Sequence, residues 1–213
     1  INIIMKMKFY VLKYTANPKG YSGERCNSSY DVSNSCSNCR SGVKLIGNLI
    51  TKGITNVRTS FFVTLSGDFL ISQELYDFMS GKGLRIKELR IVVDYKKKEL
   101  PYYHLYTEQV FPKFLQNSEG LIIENQCPIC HRNGYFSDVK IGDNKKNIPT
   151  VITPLVLRYT EIPLNFLESS EFFSTWEYLG LSNLKVEGIK IVRYARPMMI
   201  VSERIKLAFE VFG

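Results

Sequence analysis

Two Cys-x-x-Cys pairs, Cys36-Ser37-Asn38-Cys39 and Cys127-Pro128-Ile129-Cys130, constrain this chain more than any other feature of its sequence. The spacing lets one tight turn present two thiolates to the same metal ion, and two such turns complete a tetrahedron. Zinc suits four sulfurs, since it imposes no geometry of its own and tolerates soft ligands. Both pairs lie in turn-forming sequence. Asn34-Ser35 precede the first and Ser41-Gly42 follow it; Pro128 lies inside the second and Asn133-Gly134 follow it. Such residues let backbone N–H groups aim at sulfur. The expectation is one structural zinc ion held by Cys36, Cys39, Cys127 and Cys130.

Roughly ninety residues separate the pairs, far outside compact finger spacings. A shared ion would therefore tie a loop near residue 38 to one near residue 128 and close a long stretch of chain. A thioredoxin-like redox site needs its pair between a strand and a helix, and neither pair sits so. Free thiols or a disulfide are the remaining alternatives. Cys26 has no x-x-Cys partner and reads as a spare thiol in a loop. His131 directly follows Cys130 and competes for the metal, but the paired spacing favours Cys130. Four thiolates leave no open coordination position, so Lewis-acid catalysis is not expected.

Five cysteines without a signal peptide indicate a reducing compartment, and we expect a cytoplasmic protein. Lys6 and Lys8 interrupt the apolar N-terminus, which lacks a small-residue cleavage site. The chain starts at Ile1, so residues 1–4 read as upstream sequence, with Met5 or Met7 the natural start. No apolar run approaches the ~20 residues of a membrane helix, and no membrane partner is expected. The net charge is +8, compatible with a nucleic acid, an acidic protein partner or a merely soluble surface. Its lysines are scattered, with Lys96-Lys97-Lys98 the longest run and Lys145-Lys146 the next, which favours solvated loops.

Residues 8–14 (KFYVLKY) alternate and read as a strand, as do 60–65 (SFFVTL) and 86–95 (IKELRIVVDY). Residues 15–42 look loop-like, and 43–50 are ambiguous. Ser72 can cap a helix running to about Ser80, stopped by Gly81-Lys82-Gly83. The C-terminal end repeats this unit. Counting from Ser72 and from Ser202, apolar residues fall at +3, +6 and +7: Leu75, Phe78, Met79 and Ile205, Ala208, Phe209. The first copy continues into a strand around residues 89–93, whereas the second stops at Gly213, where such a strand would be due. We read a duplicated strand–helix unit, against two chance Ser-capped helices. Residues 121–125 lead into the second Cys pair and 134–139 lead out of it, a strand–knuckle–strand pattern typical of a zinc ribbon. Residues 162–181 look partly helical and supply core, Trp176 included. The expected fold is α+β, mostly antiparallel sheet with a few amphipathic helices. It divides into halves at 7–100 and 101–213 that form one compact unit joined by the zinc-ribbon-like four-cysteine site.

Catalytic motifs are missing. There is no Gly-rich phosphate loop, His-Glu-x-x-His or Gly-x-Ser-x-Gly, and the histidines are only His104 and His131. His104, in the aromatic stretch after the lysine run, reads as structural. Glu168 and Glu171 have the spacing of a solvated helix face. We expect no enzyme and no catalytic residues; an enzyme with a structural zinc is the least favoured reading.

Met7-Lys8-Phe9-Tyr10, the early and middle Cys-x-x-Cys pairs and the closing Ile200-Val201-Ser202-Glu203-Arg204 together resemble the double-CXXCG immunity proteins. These are bacterial proteins encoded beside polymorphic or contact-delivered toxins. The resemblance spans most of the chain from Met7. It departs after each second Cys, where the family has Gly and this chain has Arg40 and His131. It implies a cytoplasmic antidote whose partner is a cognate protein toxin. A basic antidote suits a partner with an acidic face. The aromatic and basic stretch 95–106 is the favoured contact surface, since Tyr and Arg enrich at hot spots. The alternative function is a zinc-ribbon nucleic-acid-binding protein, which rests on the same cysteines and on the basic charge.

Overall fold

The computed structural model describes residues 9–14, 16–110, 121–122, 127–131, 135–136, 150–154, 168, 170–175 and 198–212. In chain order the first elements are β1 (Phe9–Tyr14), β2 (Tyr21–Ser22), β3 (Ser29–Asp31), β4 (Lys44–Ile46), β5 (Leu49–Lys52), β6 (Phe61–Val63) and β7 (Phe69–Ser72). Helix α1 (Gln73–Gly81), β8 (Arg90–Asp94), β9 (Glu99–His104), β10 (Leu121–Ile122) and β11 (Tyr135–Phe136) follow. Strands β12 (Thr150–Pro154), β13 (Phe172–Thr175) and β14 (Met198–Ser202) then lead to α2 (Glu203–Phe212). The fold is α+β, as expected. A six-stranded sheet has the order β2-β5-β8-β9-β7-β6, a four-stranded sheet the order β12-β1-β14-β13, and β3-β4 and β10-β11 are separate hairpins. Among these pairings only β5 against β8 is parallel.

The strand–helix unit seen in the sequence occurs twice. Ser72 Oγ accepts the Leu75 N–H at 3.2 Å and Ser202 Oγ accepts the Ile205 N–H at 3.3 Å, so each serine caps its helix. Leu75 and Met79 are buried on α1; Ile205, Ala208 and Phe209 are buried on α2. All five join one core cluster with Phe61, Ile71, Phe172 and Val201. The two helices touch there, with the Phe78 and Phe212 rings 5.4 Å apart.

Their strand neighbours match as well. Ile71 pairs with Phe61 on one side and Tyr103 on the other; Val201 pairs with Phe172 and Tyr10. Four strands of the larger sheet, β8-β9-β7-β6, thus have counterparts in β12-β1-β14-β13. The helix residue four beyond each serine covers the neighbouring tyrosine. Tyr76 stacks on Tyr103 at 4.0 Å, and Lys206 Nζ lies 5.4 Å over the Tyr10 ring. In the second sheet β12 and β1 occupy the places that β8 and β9 hold in the first. Strand β9 runs across the expected boundary at 100/101, and β1 pairs within the sheet of β12, β13 and β14.

Four local expectations change. Residues 15–42, read as loop-like, contain the short strands β2 and β3, paired to β5 and β4. The strand read at 86–95 begins only at Arg90, because Leu89 N–H bonds Ile86 C=O in a turn. Residues 172–175, inside the segment read as partly helical, form β13. Its Phe172 and Phe173 are buried on opposite faces, a consecutive apolar pair that a doubly covered strand accommodates. The ambiguous 43–50 stretch contains β4 and the start of β5, split by left-handed Gly47. Trp176 lies outside the described residues.

Candidate metal centre

Each Cys pair sits in the loop of a hairpin. Residues 32–43 connect β3 to β4, and the second pair lies between β10 and β11. The first hairpin is fixed to the six-stranded sheet. Leu45 is buried in that sheet's second core with Leu49, Phe62 and Tyr102, and the Leu45 N–H bonds the Tyr106 hydroxyl at 3.2 Å. Lys44 pairs with Glu108 at 3.1 Å on the outside. The knuckle is thereby held on a rigid support.

Both turns have the same backbone. Arg40 N–H bonds Cys36 C=O at 2.9 Å, and His131 N–H bonds Cys127 C=O at 2.9 Å. Arg40 has φ 62 and His131 φ 53, so both residues that follow a pair are left-handed. That region costs an L-residue roughly 1–2 kcal/mol and suits glycine.

The fold brings the four sulfurs of Cys36, Cys39, Cys127 and Cys130 within 4.8 Å of one another. Cys36 Sγ lies 3.7 Å from Cys127 Sγ, and Cys39 Sγ 3.5 Å from Cys130 Sγ. Thiolates about 2.3 Å from one tetrahedral ion are about 3.8 Å apart, whereas a disulfide needs about 2.05 Å. The cluster therefore has the dimensions of a metal site, and these four residues could hold a metal ion. Cys39 and Cys127 are buried and pack with Val43, while Cys36 and Cys130 are half-buried.

Electrostatics agree with that donor set. Burial alone would raise the Cys127 thiol, but the N–H groups of Cys130 and Ile129 and the Asn38 amide outweigh it and bring it down to about 6. Asn38 Nδ2 donates to Cys127 Sγ at 3.3 Å. Burial pushes the Cys39 thiol up, and the Ser41 N–H only partly offsets it. Four sulfurs this close resist ionising together, and a bound cation is the charge that would relieve the repulsion. Asn38 is the contributor the sequence reading missed. Its signal was an amide inside the first pair, able to reach a sulfur of the second.

Models of known protein families, curated proteins and solved structures were compared with the chain, and none matches.

The other candidates lie apart. Cys26 ends a 3-10 turn (Gly23–Cys26), is buried with its thiol pushed up by burial, and is outside the four-sulfur group. His131 is exposed and is also outside it. His104 is buried, with Nε2 3.6 Å from Asp68 Oδ1, while Ser22 Oγ donates to Asp68 Oδ2 at 2.6 Å. The carboxylate stands between serine and histidine. Nucleophilic catalysis needs the imidazole in the middle. Glu168 is exposed, whereas Glu171 is buried and accepts from Arg204 Nη1 at 2.7 Å, and neither is in a helix, so the pair does not form the solvated helix face expected. Among the described residues no helix is long and apolar enough to cross a membrane.

Proposed function

We propose that this chain is a cytoplasmic immunity protein that binds and neutralises a cognate bacterial toxin, with one structural zinc ion on Cys36, Cys39, Cys127 and Cys130. The observation that carries the reading is the left-handed backbone at Arg40 and His131. Those are the two places where the double-CXXCG motif has glycine, so the departure in sequence keeps the conformation the motif requires. A four-sulfur set also favours zinc over harder ions, which prefer oxygen donors.

The ion would act as a cross-link between the β3–β4 and β10–β11 hairpins. Saturated by four thiolates, it would offer no position to water or substrate, and we assign no enzymatic role. Affinity for the toxin would come from the surface that the staple helps to hold in shape. Co-expression with the C-terminal domain of a toxin encoded beside this chain tests the reading. The two should co-purify and stay associated at micromolar concentration. Failure to associate at that concentration contradicts it.

A further inference from the structure

We propose that the exposed end of β2, β5 and β8 is a docking surface for an acidic face of a protein partner. Tyr21 pairs with Lys52 across β2 and β5, and Thr51 pairs with Asp94 across β5 and β8. Lys52 and Tyr95 therefore leave neighbouring strands at the same end of the sheet. Tyr21 is 43% and Tyr95 62% exposed, large values for tyrosines in a chain that buries many of its aromatic rings. Lys52 and Lys96, Lys97 and Lys98 are exposed beside them. Each ring carries a cation: the Arg25 guanidinium lies 6.0 Å over Tyr21, and Lys96 Nζ 5.6 Å over Tyr95.

The turn at 95–98 is ordered before any partner arrives. Asp94 Oδ1 accepts the N–H groups of Lys96 at 2.8 Å and Lys98 at 2.9 Å. Asp94 N–H bonds Lys98 C=O, and Lys97 N–H bonds Asp94 C=O. Asp94 keeps its charge, and with Glu24 and Glu99 it stands against Arg25, Lys52, Lys96, Lys97 and Lys98, so the surface is net basic. A pre-ordered contact loses less entropy on binding, tyrosines are favoured anchors, and lysines steer an acidic partner. A single nucleic-acid strand is tracked by a groove with open aromatic faces. Here the basic turn is exposed at all four positions instead of lining a groove, which favours protein. The favoured contact stretch thus narrows to its first four residues, since Tyr102 and His104 are buried in β9. That the partner is a toxin rests on the immunity reading; its acidic chemistry rests on the surface alone.

The test uses the full zinc-loaded chain, with a decaglutamate peptide and decathymidylate as probes, followed by NMR. Decaglutamate should shift the signals of Tyr21, Lys52 and residues 95–98, less so as salt rises. Lys96→Glu with Lys98→Glu should weaken it on the order of tenfold, leaving Lys97 in its left-handed conformation. Lys87→Glu, exposed before the opposite end of β8, should leave affinity nearly unchanged. Shifts elsewhere, no binding, an indifferent double variant or tighter binding of decathymidylate would each overturn the proposal. None of these results touches toxin co-purification, so either reading can fail alone.

Discussion

Arg204 Nη1 donates to Glu171 Oε1 at 2.7 Å, and the carboxylate it meets is only 2% exposed. The same guanidinium reaches the Gly83 carbonyl at 3.2 Å, just beyond α1. Ser202, the cap of α2, also donates to Glu171. The Val-Ser-Glu-Arg ending is thus a clasp that holds α2, β13 and the end of α1 together. Arg204→Ala leaves a buried charge with the Ser202 hydroxyl and Arg85 at 3.7 Å. It should lower unfolding stability by about 1–3 kcal/mol in urea titration.

The paired caps give a graded expectation. Ser72→Ala removes one bond to a helix N-terminus and should cost about 1 kcal/mol. Ser202→Ala removes the equivalent bond and one donor to Glu171, so about 2–3 kcal/mol is expected. Equal losses in thermal or urea unfolding would show that the Glu171 contact contributes nothing.

Glycine introduced into the knuckles should stabilise the protein. Arg40 and His131 are held left-handed, a strain glycine does not feel. Arg40→Gly and His131→Gly should each raise stability by about 0.5–1 kcal/mol after allowing for glycine's greater freedom when unfolded. Urea titration of the metal-loaded protein checks this. Arg40→Val should do the reverse, since a β-branched residue tolerates that backbone least.

Metal and fold should be coupled. Cys39→Ser or Cys127→Ser should abolish stoichiometric metal binding and lower the melting temperature, whereas Cys26→Ser should keep the full metal content. Acid should release the metal, because protons compete for the thiolates; its stabilisation is present at neutral pH and is lost as pH falls. Metal analysis after dialysis at stepped pH, with thermal unfolding of the same samples, measures both effects.

Much of this was readable from residue types. Cysteine spacing picked out the four sulfurs, and serine followed by apolar residues at +3, +6 and +7 located both helices. The wider match between the sheets was not readable. Phe61-Phe62 corresponds to Phe172-Phe173, and Tyr102-Tyr103 to Phe9-Tyr10, but the second set is in a different chain order. A repeat sought along the sequence misses units matched only in space. The 172–175 strand was hidden for a related reason: with both faces covered it loses the alternation that marks a half-buried strand. The clasp at Glu171 was also out of reach, since no local pattern links it to Arg204.

X-ray absorption at the zinc edge reads the proposed four-thiolate coordination itself. One zinc per chain is expected, with four sulfur neighbours at about 2.3 Å and no lighter scatterer bound to the ion. Purified protein without bound metal, or an ion surrounded by nitrogen and oxygen, would contradict it.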